Sequence, residues 1–167
     1  MTSAREPRPG VPWATFEAAA PQFARFVHAR LDAHRHRYMA TIRADGSPRI
    51  GGIELTIVDG ELWVGGLDAS RKFDDLRRDP RLALHSGSDD PPAFGGDARV
   101  SGRAVFVEDD AVKARFLEAA GGGPPGPFEL IRVELEEVST IEEAPSKDHL
   151  VVSVWRPGSA VRRMDRW

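Results

Sequence analysis

Apolar residues recur at three- and four-residue steps through Phe23, Phe26, Val27 and Leu31, the spacing that lines one face of a helix. Pro21 suits the first helical position, where its missing N–H costs nothing. The pattern predicts an amphipathic helix over roughly 21–35 that must pack on something. Upstream, Thr15 is a candidate cap for a short turn. Residues 1–12, polar and rich in proline and arginine, read as a disordered lead-in.

From residue 38 the pattern becomes short β-type runs separated by turn residues. Strands are expected over 38–43, 49–58 and 61–67, joined by Asp45-Gly46 and Asp59-Gly60. Two Asp-Gly turns between β-rich runs signal an antiparallel meander. Ser70 to Arg78, with Phe73 and Leu76 three apart, reads as a short helix that Pro80 stops. Strands follow over 81–86 and 97–107 around a loop at 87–96, and Gly102 marks a bulge. Asp109 or Asp110 caps a second short helix carrying Val112, Phe116 and Leu117. Residues 121–127 form a glycine- and proline-rich connector. A strand over 128–143 and a hairpin of 150–155 and 160–164 around Pro157-Gly158 close the chain. The sum is a mainly β fold: about six to eight antiparallel strands curled into a small barrel, with an N-terminal helix and two short helices. Residues 13–167 are expected to form a single domain.

Composition narrows the chemistry. The chain is 41% hydrophobic and 29% charged, as soluble globular chains are. It has no cysteine, which excludes disulfides, thiolate metal sites and a cysteine nucleophile and fits an expected cytoplasmic location. The N-terminus lacks the apolar run of a signal peptide. No apolar stretch approaches the ~20 residues that span a bilayer, so no membrane partner is expected. A net charge of −3 argues against a nucleic-acid partner. His28, His34 and His36 do not share a helix face and no carboxylate completes a ligand set, so no metal site is expected. There is no Gly-x-Ser-x-Gly elbow for a serine hydrolase.

The segment at Ser70 is the most informative. Ser70 stands where a helix begins, and Arg71 and Lys72 fall in its first turn. Cations there oppose the helix dipole. The anomaly disappears if an anion sits at that end, because unpaired N–H groups at a helix start bind phosphate. The alternative is a serine cap followed by two solvated cations.

Residues 38–84 resemble the pyridoxamine 5'-phosphate oxidase-like family of flavin-binding split barrels. The likeness runs through Ala40-Thr41-Ile42, Asp45-Gly46-Ser47-Pro48, Asp59-Gly60-Glu61-Leu62-Trp63, Ser70-Arg71-Lys72 with Leu76, and Arg78-Asp79-Pro80-Arg81. Arg99-Val100-Ser101-Gly102-Arg103 extends it to about residue 108. The resemblance implies that Ser70, Arg71 and Lys72 grip the phosphate of flavin mononucleotide (FMN). It implies that Gly51, Gly52 and Ile53, in the run to Thr56, lie beside the ring system, and that Gly65 and Gly66 line the site. It also implies a homodimer with cofactor at the subunit interface. Trp155, in the closing hairpin, is a candidate to stack on the ring; otherwise it is a core or interface tryptophan.

Departures from the family pattern bear on activity. Enzymes that oxidise pyridoxamine phosphate carry arginine where Gly51 stands, lysine where Thr56 stands and Tyr-Thr where Gly65-Gly66 stand. They also carry a glutamine near Asp97. Arg163-Met164-Asp165-Arg166 matches their C-terminal substrate stretch only in part. The expected function is therefore an FMN-dependent oxidoreductase that moves hydride to or from a small organic substrate, and not vitamin B6 oxidation. A deazaflavin-dependent reductase and a non-catalytic cofactor- or haem-binding barrel are the alternatives. No residue stands out as a general acid or base.

Overall fold

In the computed structural model, residues 9–123 and 126–167 are described. The start of the expected lead-in, residues 1–8, and Pro124 and Pro125 of the expected connector lie outside them. Val11 is already held: its N–H donates to Leu135 O at 3.1 Å and its carbonyl accepts from Leu135 N at 2.8 Å.

Two helices come first, α1 (Trp13–Ala19) and α2 (Pro21–Asp32). Six strands then build the barrel: β1 (Arg37–Ile42), β2 (Pro48–Val58), β3 (Glu61–Leu67), β4 (Arg81–His85), β5 (Asp97–Phe106) and β6 (Phe128–Glu143). Helix α3 (Arg71–Arg78) joins β3 to β4, and α4 (Asp110–Ala119) joins β5 to β6. The strand order is β3-β2-β1-β4-β5-β6, all antiparallel, and β3 pairs again with β6. That second pairing closes the sheet, which removes the exposed edges an open sheet would carry. The far half of β6 instead pairs with β7 (Leu150–Trp155), and β8 (Arg162–Arg166) extends that ribbon.

Local chemistry explains these elements. Asp59 and Gly60 both take positive φ, 54° and 76°, the conformation of a two-residue turn whose twist matches the flanking strands. Gly46 takes φ 82° in the first hairpin, where Asp45 accepts the Ser47 N–H at 2.9 Å. Asp109 caps α4 by accepting from Ala111 N and Val112 N. Helix α1 is an addition to the expected turn near Thr15, and it buries Trp13 and Phe16. Helix α2 ends at Asp32, before the expected 35. There the buried Arg37 side chain donates to Leu31 O, to Arg35 O at 2.7 Å and to Asp32 at 3.0 Å. These bonds satisfy groups that a helix end leaves without partners.

Inward residues of the barrel, among them Met39, Leu55, Leu62, Leu84, Val100 and Val133, form one core with Phe16, Val27 and Leu31 of the two leading helices. Helix α3 docks through buried Phe73 and Leu76 and through Asp75, which is 3% exposed. The Asp75 carboxylate accepts from Arg49 Nε at 2.6 Å, Thr41 Oγ1 at 2.8 Å and Arg78 Nη2 at 3.3 Å. The Arg49 hydrogen bond leads in holding its pKa down to about 2. Because the folded value lies below the ordinary 3.8, the stabilisation is complete above that value. It is lost as pH falls from there through about 2. We expect Asp75→Asn to cost about 2 kcal/mol at pH 7, less than a fully buried pair because both arginines reach solvent. Urea midpoints at pH 7 and pH 3 check this: the gap between wild type and variant should narrow at the lower pH.

Candidate functional site

Strand β2 changes partners midway. Residues 48–53 pair with β1, whereas 54–58 pair with β3. Neither edge of β2 is therefore paired along its whole length. A cleft of about 760 Å³ opens at this switch, within the size range of small-molecule sites. Gly52 to Thr56 of β2 and the neighbouring Gly65, Gly66 and Leu67 of β3 line it. Lys72 of α3 and Phe116 at the C-terminal part of α4 complete the walls, and Arg35, His36 and Arg37 lie at its margin.

The glycines shape this space in two ways. A Cβ on Gly51 would meet nothing within 4 Å, and one on Gly52 would come no nearer than 4.0 Å to Arg37 O. Bare backbone there keeps the wall open. On β3 the glycines admit neighbours: a Cβ on Gly65 would stand 3.4 Å from the Phe116 ring, and one on Gly66 3.2 Å from Phe73 and 3.6 Å from Lys72 Cε. Gly66 thus lets the lysine stem lie against the strand.

Basic groups dominate the lining. Arg35, His36, Arg37 and Lys72 face one carboxylate, Glu54. Glu54 takes Arg35 at 3.0 Å and stands 3.8 Å from His36. Arg37 is occupied by the end of α2. Lys72 differs: among the described residues its ammonium has no ion-pair partner, only the Phe73 ring with its centroid at 5.5 Å. Burial pushes its pKa below the usual lysine range, the desolvation cost of a charge with no counter-charge. At the N-terminus of α3, Ser70 is half-buried and its side chain caps no backbone group.

The structure gathers part of the expected site. Gly52, Ile53, Gly65, Gly66 and Lys72 line the cleft, and Gly51 adjoins it on β2. Ser70 stands at the helix start just before Lys72. Arg71 points elsewhere, as consecutive helical residues do. It lines a separate depression of about 380 Å³ with Arg43, Arg49 and Arg78, and it makes no ion pair among the described residues. Trp155 is not at the cleft. It is 1% exposed and packs on Phe16 with ring centroids 4.7 Å apart, because alternation along β7 turns it into the core. Sequence reasoning missed Phe116 as a cleft residue; its place at one end of a glycine-ended helix was the available signal. His28 goes to Asp32 at 3.1 Å and His34 to Asp89 at 3.5 Å. No helix among the described residues is long and apolar enough to cross a membrane.

The family model for pyridoxamine 5'-phosphate oxidase matches residues 23–142. Among solved structures, Campylobacter jejuni ChuZ superposes with a TM-score of 0.64 at 14% identity, covering 83% of this chain. The chain spans 61% of the length of ChuZ. A pyridoxamine 5'-phosphate oxidase-related, FMN binding protein from Nostoc punctiforme gives 0.60 at 14% identity, covering 88% of this chain and 96% of that one. Burkholderia lata PhzG, solved with tetrahydrophenazine-1-carboxylic acid, gives 0.57 at 17%, with 93% of each chain covered. At these identities the likeness is one of fold. No curated protein matches the chain.

Proposed function

The chain belongs to the pyridoxamine 5'-phosphate oxidase family, and from that premise we propose that its cleft holds FMN for hydride transfer to or from a small organic substrate. The observation that carries the reading is Lys72: a half-buried ammonium with no counter-charge among the described residues, in the lining of a cleft whose walls include bare glycine backbone. A phosphate beside it would offset the desolvation it already bears. The uncapped Ser70 hydroxyl and the first N–H groups of α3 supply further donors. Arg71, exposed and without an ion pair among the described residues, would swing toward the same anion. The flavin would supply the redox chemistry when bound, and Gly52 to Thr56 with Phe116, which line the cleft, would hold it. The fold relative from Nostoc punctiforme is FMN binding by name, which favours this cofactor.

The open backbone at Gly51 and Gly52 also accommodates a deazaflavin with a longer tail, and competition between the two cofactors decides between them. A homodimer is part of this proposal, and the outer face of β1 and β2 supports it. Ile50 is 73% exposed there and lies across from Ala40, which pairs in turn with Ala83. This smooth apolar surface adjoins the cleft. A second copy covering it would give a mass in solution twice the 18.3 kDa of the chain.

Lys72→Ala tests the phosphate grip. We expect it to weaken FMN binding by about 10- to 100-fold, the worth of a charge-assisted contact of roughly 1.5–3 kcal/mol, and to change riboflavin binding little. An FMN affinity equal to wild type would leave the Ser70 segment with no part in phosphate binding.

A further inference from the structure

Arg35 and His36 line a second hollow as well as the cleft. This second hollow measures about 650 Å³ and is bounded by His34, Tyr38, His85 and Ser88. We propose that it is the substrate pocket, and that its substrate is a small conjugated or aromatic carboxylate. This rests on the flavin reading of the adjoining cleft.

The lining carries the chemical class. It offers a guanidinium, three imidazoles, a phenol and a serine hydroxyl, and no carboxylate. The acidic groups stand behind the basic ones: Asp89 lies 3.5 Å from His34, and Glu54 takes Arg35 at 3.0 Å and lies 3.8 Å from His36. Three consecutive residues, His34 to His36, thus present basic side chains at one turn between α2 and β1. A carboxylate accepts several such donors at once.

The floor carries the shape. Tyr38 is 49% exposed on the outer face of β1. Its cross-strand neighbours are Gly52 on one side and His85 on the other. Gly52 has no side chain to cover the ring, so its flank is open toward the cleft. His85 is fixed as a wall: its Nδ1 accepts the Gly87 N–H at 2.9 Å and its Nε2 faces Asp97 at 3.4 Å. A planar ligand resting on Tyr38, its carboxylate at the 34–36 turn, would place its other end over Gly52, beside the cofactor wall.

Titration calorimetry with trans-cinnamate and its neutral isostere trans-cinnamamide tests this, on FMN-loaded and cofactor-free protein. Cinnamate should bind at least tenfold tighter than the amide. Tyr38→Ala and His34→Ala should each weaken cinnamate at least fivefold while FMN affinity stays within twofold of wild type. Equal affinity for acid and amide, no cinnamate binding at millimolar concentration, or unchanged affinity in both variants would overturn the proposal. Failure of FMN to bind, with the cinnamate preference intact in cofactor-free protein, would remove the flavin reading and leave the carboxylate pocket standing.

Discussion

Replacing Trp155 with alanine will cost about 3–5 kcal/mol of stability and leave FMN affinity within twofold of wild type. Its indole is 1% exposed, tilted against Phe16 and part of the main core. Removing it deletes buried apolar surface and leaves a cavity between α1 and the β6–β7 ribbon. Trp155→Phe should cost much less. The Nε1 of Trp155 is buried without a hydrogen-bond partner among the described residues, so phenylalanine keeps much of the packing and removes an unsatisfied donor. Denaturant midpoints and an FMN titration of both variants check the pair. A large loss of FMN affinity in the folded Trp155→Phe protein would mean that the indole does reach the cofactor.

Gly102→Ala is the second large effect. The β5–β6 register shifts between Ser101 and Gly102, and a Cβ at Gly102 would fall 2.1 Å from Glu134 O. The obstacle is backbone of the longest strand in the barrel, so no side-chain rotation relieves it. The same stretch is pinned from the other side by the Val11 pairing with Leu135. We expect a loss of about 3 kcal/mol or more, which for a domain of this size lowers Tm by roughly 6–12 °C. Gly51→Ala, whose Cβ would meet nothing within 4 Å, should stay within about 0.5 kcal/mol. Similar Tm values for the two variants would show that the bulge tolerates a side chain.

The contrast between these glycines bears on what the sequence could reveal. The bulge at Gly102 was legible because a glycine interrupted an alternating strand. The Asp-Gly hairpins and the Asp109 cap were legible because turns and caps depend on local chemistry. A small barrel was expected, but which strands close it was not legible, since the β3–β6 pairing joins residues some sixty to seventy positions apart, such as Trp63 with Arg132 and Leu67 with Phe128, and leaves no local mark. Helix α1 was missed although Trp13, Phe16 and Ala20 keep helical spacing, because no side chain caps it. At the site, the Ser70 segment stood out through cations misplaced against a helix dipole. That anomaly identified the helix start. It did not say that Lys72 and Arg71 would part into two hollows, which depends on the rotation of α3 against β1. Trp155 was a candidate for the site because it lies in the closing hairpin, with a core tryptophan as the alternative; strand alternation and the arrival of Phe16 bury it. The second hollow was invisible for a similar reason. His34 and His36 were weighed as metal ligands on one helix, whereas the helix ends at Asp32 and frees them to form a turn.

The measurement that bears most directly on the central claim is a paired titration of the purified protein with FMN and riboflavin, followed by flavin fluorescence. If Lys72 and the start of α3 hold a phosphate, FMN will bind at micromolar Kd or tighter and riboflavin at least tenfold more weakly. Equal affinity for the two, or no FMN binding at about 100 μM, would contradict it.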